Sequence, residues 1–173
     1  MNRFQSISIF LFSLVLFLAS CSGGGYKRST PAELGDATWL TLKNNDSKGY
    51  RALFVVEDDL DVMMDLMEKE NPGSSDRFEE EFAEEMPKYN EMINVNFEQM
   101  RSKVTDLGLD WAKLEFKGTH VEEQREEEGF EVAKIKIVFS DGKEDYEFLA
   151  KDIANLDGKW VHGEPIRFQV VPW

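Results

Sequence analysis

The hydrophobic positions of the chain follow two different periods, one in each half. Between residues 31 and 107, apolar side chains recur every three or four positions, which is the period of an amphipathic helix. From residue 114 onward they alternate with polar side chains, as in strands with one buried face. Helices followed by strands predict an α+β domain of two packed layers.

Three helices are expected before residue 72. The first runs from Pro31 to Leu42, with Thr30 as its N-cap, and a short second helix surrounds Tyr50. Asp58 and Asp61 are expected to cap the third, in which apolar residues again recur at helical spacing.

The longest helix is predicted from an unbroken apolar stripe over residues 78–107. Asp76 and Glu79 form a capping-box pattern at its start, and Gly108 fits its C-terminal cap. Pro87 lies in the middle and predicts a kink or two stacked segments. We expect the stripe to pack on the protein's own sheet, and a seam for a partner helix is the alternative.

Four antiparallel strands in a meander are expected after residue 114. Asp141-Gly142 and Asp157-Gly158 are typical of tight type I′ turns between them, and residues 122–128 are expected to form a solvated hairpin tip. Pro165 implies a bulge or an edge in the last strand. Two strands should each bury one alternating face, made of Ala133, Ile135, Ile137 and Phe139 and of Tyr146, Phe148 and Ala150.

The first twenty residues have the pattern of an export signal. Arg3 is followed by an apolar run over residues 7–18, whose length as a helix is about 18 Å, short of the roughly 30 Å hydrocarbon core. We therefore expect a cleaved signal peptide over residues 1–20. Leu18-Ala19-Ser20-Cys21 resembles the lipobox of bacterial lipoproteins, which implies acyl chains on Cys21. A secretory signal followed by a chance cysteine is the alternative.

Cys21 is the single cysteine, so no disulfide can form within the chain. Glycines follow it, and we expect residues 21–30 to be a lipidated, flexible tether and residues 31–173 to be one folded domain. Some bacterial lipoproteins carry an acidic surface-export signal where this chain has glycines. The resemblance therefore implies a domain anchored in the bacterial cell envelope that faces the periplasm, on either membrane.

The chain is acidic, with 20 Lys and Arg against 34 Asp and Glu and a formal net charge of −14. Such a chain repels nucleic acid and anionic lipid head groups. The acyl chains, rather than a basic surface, are therefore expected to hold it at the membrane. An envelope protein or a second copy of the chain is the expected kind of partner.

The helices, the long strand, the acidic hairpin and a terminal Asp157-Gly158-Lys159-Trp160 resemble small bacterial lipoproteins of the nuclear-transport-factor-2-like, or cystatin-like, fold. The resemblance spans residues 31–171. It implies N-terminal helices packed on a curved four-stranded antiparallel meander, with Trp160 closing the core. The family includes isomerases, dehydratases, and binding or dimerising modules, so the fold does not define a function.

Metal and cofactor chemistry finds little support in the sequence. Asn44, Asp46 and Gly49 fit part of a calcium loop, but Lys48 and Val55 stand where ligands belong. We therefore expect neither a metal site nor a cofactor.

Candidate pocket residues come from the strands. In enzymes of the resembling family, a cone between sheet and helices holds a histidine or aspartate that acts as acid or base. Here His120, Tyr146, Trp160 and His162 are candidates to line such a cone, and alternation places His162 on the same side as Trp160. The alternative for each histidine is a strand residue with a hydrogen-bond partner and no role in catalysis.

The functional expectation is a non-catalytic, membrane-tethered binding or accessory domain of unknown ligand. One alternative is a small hydrolyase or isomerase that uses the polar cone. Another is a module that dimerises through the open sheet face. The tryptophans, phenylalanines and methionines fit an adaptable apolar pocket as well as a core.

Overall fold

The computed structural model describes residues 25–70, 72–73, 78–127 and 129–170. The helices pack on an antiparallel sheet, which confirms the predicted α+β class. No helix among these residues is both long and apolar enough to cross a membrane. The predicted signal peptide, Cys21 and Asp76 lie outside the described residues.

Among the described residues, four α-helices and a short 3₁₀ turn form the helical layer. Thr30 caps the first helix as predicted, because its Oγ1 accepts a hydrogen bond from the Glu33 amide at 3.1 Å. Asp58, the predicted cap of the third helix, lies within a 3₁₀ turn that precedes that helix, and the Asp59 carboxylate caps the turn by accepting from the Val56 amide at 3.0 Å. The helices are α1 (Pro31–Lys43), α2 (Ser47–Arg51), α3 (Leu60–Glu70) and α4 (Phe78–Asp106), with the 3₁₀ turn at Glu57–Asp59.

Helix α4 runs through Pro87 as one element of 29 residues. Proline removes one hydrogen bond from a helix interior, and the two halves of α4 pack differently on either side of it. The N-terminal half borders α3, and its Phe78 and Phe82 are only partly buried. The C-terminal half joins the protein's own core, as expected, through Ile93, Phe97, Met100 and Val104.

In the part of the chain that the structure describes, the sheet has five strands instead of the predicted four. It comprises β1 (Glu115–Glu127), β2 (Phe130–Ser140), β3 (Asp145–Leu156), β4 (Lys159–His162) and β5 (Arg167–Val170). Strands β1, β2 and β3 form a meander, and both β4 and β5 pair with the other edge of β3. The extra strand arises because Pro165, which has no amide to donate, lies between β4 and β5 and not inside a strand.

The first hairpin differs from its prediction. Residues 122–127, expected at a solvated tip, belong to β1, and Glu123 to Glu127 pair with β2 while Glu122 lies at a bulge. They are exposed as expected, yet their backbone stays in the ladder up to the turn. Register shifts after Phe116, Val121 and Ala133 mark bulges, which bend and twist a sheet.

The two predicted type I′ turns have different outcomes. Asp157 and Gly158 both have positive φ, 51° and 81°, as that turn requires, and the prediction is confirmed. At Asp141 the prediction is wrong, because four residues connect the strands and only Gly142 has positive φ, 88°. Here the Asp141 carboxylate accepts from the amides two and three residues later, at 2.8 and 2.9 Å.

The core lies between α1, α4 and one face of the sheet. The predicted face of β2 is buried at all four positions, and that of β3 is buried at all three. Trp39 of α1 packs on it, with ring centroids 5.7 Å from Phe116 and 5.1 Å from Phe139. The buried cluster extends along the chain from Leu34 to Ile166.

The segment before α1, expected to belong to the tether, lies against the domain. Tyr26 packs on the core, and its hydroxyl donates to the Asp46 carboxylate at 2.8 Å. The Arg28 carbonyl accepts a hydrogen bond from the Trp160 amide at 2.8 Å. Residues 26–30 are therefore part of the folded domain.

Candidate functional site

The four residues predicted to line a pocket lie on different parts of the sheet. His120 is exposed on β1 and pairs with Lys136, which lies on the face opposite the core. Tyr146 is 6% exposed at the start of β3. Trp160 and His162 lie on β4 and are 2% and 0% exposed. His162 thus shares the inward face of Trp160, as alternation predicts.

The His162 ring is held by a hydroxyl of α1. Its Nε2 lies 2.7 Å from Thr38 Oγ1, whose own proton goes to the Leu34 carbonyl at 2.8 Å. Because the hydroxyl proton is used there, we assign the His162 ring proton to Nε2, which donates to Thr38. No group among the described residues makes a hydrogen bond to the buried Nδ1.

Burial determines the protonation of His162. Burial, with the Arg28 charge as a smaller cause, lowers the pKa of the imidazole to about 3. The Phe54 ring lies 4.9 Å away, and a backbone bridge between Phe54 and His162 covers the edge of β4. The side chain is therefore a neutral core group at any pH near neutrality.

Tyr146 and Trp160 also serve the core. The Tyr146 ring stacks on Phe139 at 5.7 Å, and its hydroxyl donates to the Glu144 carboxylate at 3.3 Å. Burial raises the pKa of the Tyr146 phenol, and the Asp141 and Glu144 charges raise it further. No three His, Cys, Asp or Glu side chains lie together as metal ligands in the part of the chain described.

A groove open to solvent lies away from these residues, between α3, the N-terminal half of α4 and the loop after β4. Its volume is 270 Å³. Apolar groups provide most of the wall, and one carboxylate belongs to the lining itself. The lining consists of Val55, Met63, Phe78, Phe82, Met86, Tyr89 and Gly163, with Glu85 as the acid.

Tyr89 fixes one wall of the groove. Its hydroxyl lies 3.1 Å from the His162 carbonyl and 3.2 Å from the Gly163 carbonyl, so one donor joins α4 to the loop after β4. Burial raises the pKa of Tyr89 to about 12, although the nearby Arg51 charge opposes this shift. Arg51 donates to the carbonyl of Val55, another lining residue, at 3.1 Å.

The opening of the groove is acidic. Glu85 is exposed and forms an exposed ion pair with Lys88 at 2.8 Å. At about 100° per residue, Glu79 and Glu81 project on either side of Phe82 along α4, and both are exposed. Exposed Glu164 follows Gly163 of the lining. The apolar lining is therefore bordered by carboxylates from two elements.

Sequence reasoning missed this groove. It assigned Phe78, Phe82, Met86 and Tyr89 to one stripe that packs on the sheet along the whole of α4. The methionines of α3, spaced to face α4, were the one signal for a less tightly filled contact. Comparison of the chain with protein-family models, with curated proteins and with solved structures gave no match.

Proposed function

We propose that this protein is a lipid-anchored, non-catalytic binding domain of the bacterial cell envelope that receives an apolar group in the groove between α3 and α4. The observation that carries the proposal is the groove itself. Its Met63, Phe78 and Phe82 side chains are only partly buried and line the groove beside a buried core. A concave apolar surface with few polar groups is the usual form of a binding site.

The state of His162 supports binding rather than acid–base catalysis. A general acid or base works best with a pKa near the operating pH, and the His162 pKa of about 3 is far below it. Its Nε2 is engaged by Thr38.

We also propose that the domain has the nuclear-transport-factor-2-like fold. Helices precede a bulged antiparallel sheet, and the sheet packs against them through one face. Trp160 of the terminal Asp-Gly-Lys-Trp hairpin is 2% exposed and belongs to the core cluster, as the resemblance implies.

The lipid anchor is tested at Cys21. Cys21→Ala should release the protein from the membrane fraction or leave it as an unprocessed precursor, because the thiol is the acyl acceptor in a lipobox. Ser22→Ala is the matched control and should leave fractionation unchanged. Membrane association and processing of Cys21→Ala equal to the wild type would refute the anchor.

The groove is tested with Nile red, a neutral dye that fluoresces in apolar surroundings. The mature chain with Cys21→Ser (residues 21–173, without acyl groups) contains the whole core cluster and is the protein to use. Phe82→Asp places a charge in the groove and should abolish dye fluorescence. Val95→Asp makes the same change at a 48% exposed position of α4 outside the groove and should leave fluorescence intact. Equal dye binding by wild type and Phe82→Asp would refute the groove as the site.

A further inference from the structure

We infer that the occupant of the groove is a basic, amphipathic helix of a partner protein, which places one or two apolar side chains between α3 and α4. The inference rests on the groove being the binding site proposed above. It specifies the chemistry of the partner, and it depends on the size of the groove and on the charges around it.

The size of the groove favours side chains over an enclosed small molecule. Sites that engulf drug-sized ligands have volumes of roughly 300–1,000 Å³, and this open groove has 270 Å³. Its wall follows α4 through Phe78, Phe82 and Tyr89, which lie on one side of the helix. A groove between two helices suits the recognition mode in which a partner helix inserts a few apolar anchors. Met63 and Met86 can adapt to the shape of such anchors.

The charge around the groove favours a basic partner. The segments that provide most of the lining, residues 57–70 and 78–89, have a formal charge of −10 out of −14 for the whole chain. Of the exposed acids on α4, Glu79, Glu81 and Glu85 border the groove, whereas Glu84 lies on the opposite side of the helix. Of the two lysines in these segments, Lys88 already pairs with Glu85. Exposed Glu164 adds to this border from the loop after β4, whereas Asp59 is buried and its carboxylate pairs with Lys159. This acidic surface is longer than the groove, and an extended partner with several cations matches it.

The same charges disfavour other occupants. A second copy of the chain would bring an identical acidic border against this one, and like charges in contact are costly. Nucleic acid and anionic lipid are repelled for the same reason.

The test uses a synthetic amphipathic peptide of about 18 residues, long enough to form a helix, with leucine on one face and lysine on the other. A fluorescein label reports its binding to the acyl-free mature chain by anisotropy. We expect binding that weakens as salt increases, and no binding of a matched peptide with glutamate in place of lysine.

Paired charge reversals on α4 locate the interaction. Glu81→Lys with Glu85→Lys alters the groove border and should weaken peptide binding about tenfold. Glu84→Lys with Glu91→Lys makes the same change of net charge on the opposite side of α4, at exposed positions, and should weaken binding less than about threefold. Circular dichroism confirms that both variants remain folded.

The outcomes separate this inference from the proposed function. One outcome is that Nile red binds in the groove while the lysine and glutamate peptides bind equally well or not at all. That result refutes the basic partner but still supports the groove as a binding site. Equal weakening by the two paired reversals also refutes it, because the attraction would then be unspecific. If Phe82→Asp and wild type bind both dye and peptide equally, the result refutes both the groove as the binding site and the basic helix as its occupant.

Discussion

Acidification should destabilise the domain through His162 well before that side chain is protonated in the folded state. The imidazole is fully buried, and burial is the main cause that lowers its pKa to about 3. A histidine in an unfolded chain has a pKa of about 6.5. Between these two values the unfolded state binds a proton that the folded state does not, so stability falls as the pH is lowered through this window.

The magnitude follows from the width of the window. Each pH unit below about 6.5 lowers the free energy of unfolding by about 1.4 kcal/mol, so at pH 4.5 the loss is about 2.7 kcal/mol. Domains are typically stable by only about 5–15 kcal/mol, so this loss is a large part of the total. The contribution of neutral His162 is complete above pH 6.5 and declines toward the folded pKa of about 3.

Urea unfolding, followed by tryptophan fluorescence, measures this effect in wild type and His162→Gln. Glutamine does not titrate and can still donate to Thr38 Oγ1, while all the carboxylates titrate in both proteins. His162→Gln should have a lower free energy of unfolding than the wild type at pH 7. The difference between the two free energies should shrink by about 2.7 kcal/mol at pH 4.5, because only the wild type loses the His162 contribution. If the difference in free energy of unfolding between the two proteins changes by less than about 0.5 kcal/mol over this range, His162 is not a neutral, buried group.

Two further substitutions probe the core and the terminal hairpin. Asn96 accepts from the Tyr50 hydroxyl at 2.6 Å and donates to the Ile166 carbonyl at 3.0 Å. Asn96→Leu therefore leaves both of these buried polar groups without a hydrogen-bond partner. It should cost about 2–4 kcal/mol in urea unfolding, and a loss below about 1 kcal/mol would contradict these contacts. Gly158→Ala forces alanine to a φ of 81° and should lower stability by about 1 kcal/mol in the same assay. Gly25→Ala, where a side chain meets nothing within 4 Å, is the control, and equal stability of the two variants would count against the turn geometry.

Much of the fold was predictable because local periodicity and tertiary burial agree in it. Helix α1 begins at its predicted N-cap, and β2 buries the face that alternation assigned to it. The errors come where a side chain substitutes for a backbone interaction. Asp141 stabilises its turn through its carboxylate and not through a positive φ of its own, and Asp59 caps the 3₁₀ turn that precedes α3. Composition gives little indication of which acidic residue will do this.

The candidate site was less predictable, because its character depends on contacts between distant segments. Alternation correctly placed His162 inward, but its inert state depends on Thr38, which is 124 residues away in sequence. The apolar stripe of α4 has one period along its length, and only the packed structure shows that its C-terminal half joins the core, against α1, α2 and β5. The other half faces α3, which leaves the groove open.

The docking of Tyr26 on the domain sets how far the protein can reach. With Cys21 acylated as we propose, the five peptide steps from Cys21 to Tyr26 span at most about 18 Å. This is close to the radius of gyration of a domain of this size, about 15 Å. The domain would therefore be confined to a thin layer at the bilayer surface, where it meets its partners by lateral diffusion. Its effective concentration toward proteins in the same membrane would be high, and a partner fixed farther away would be out of range.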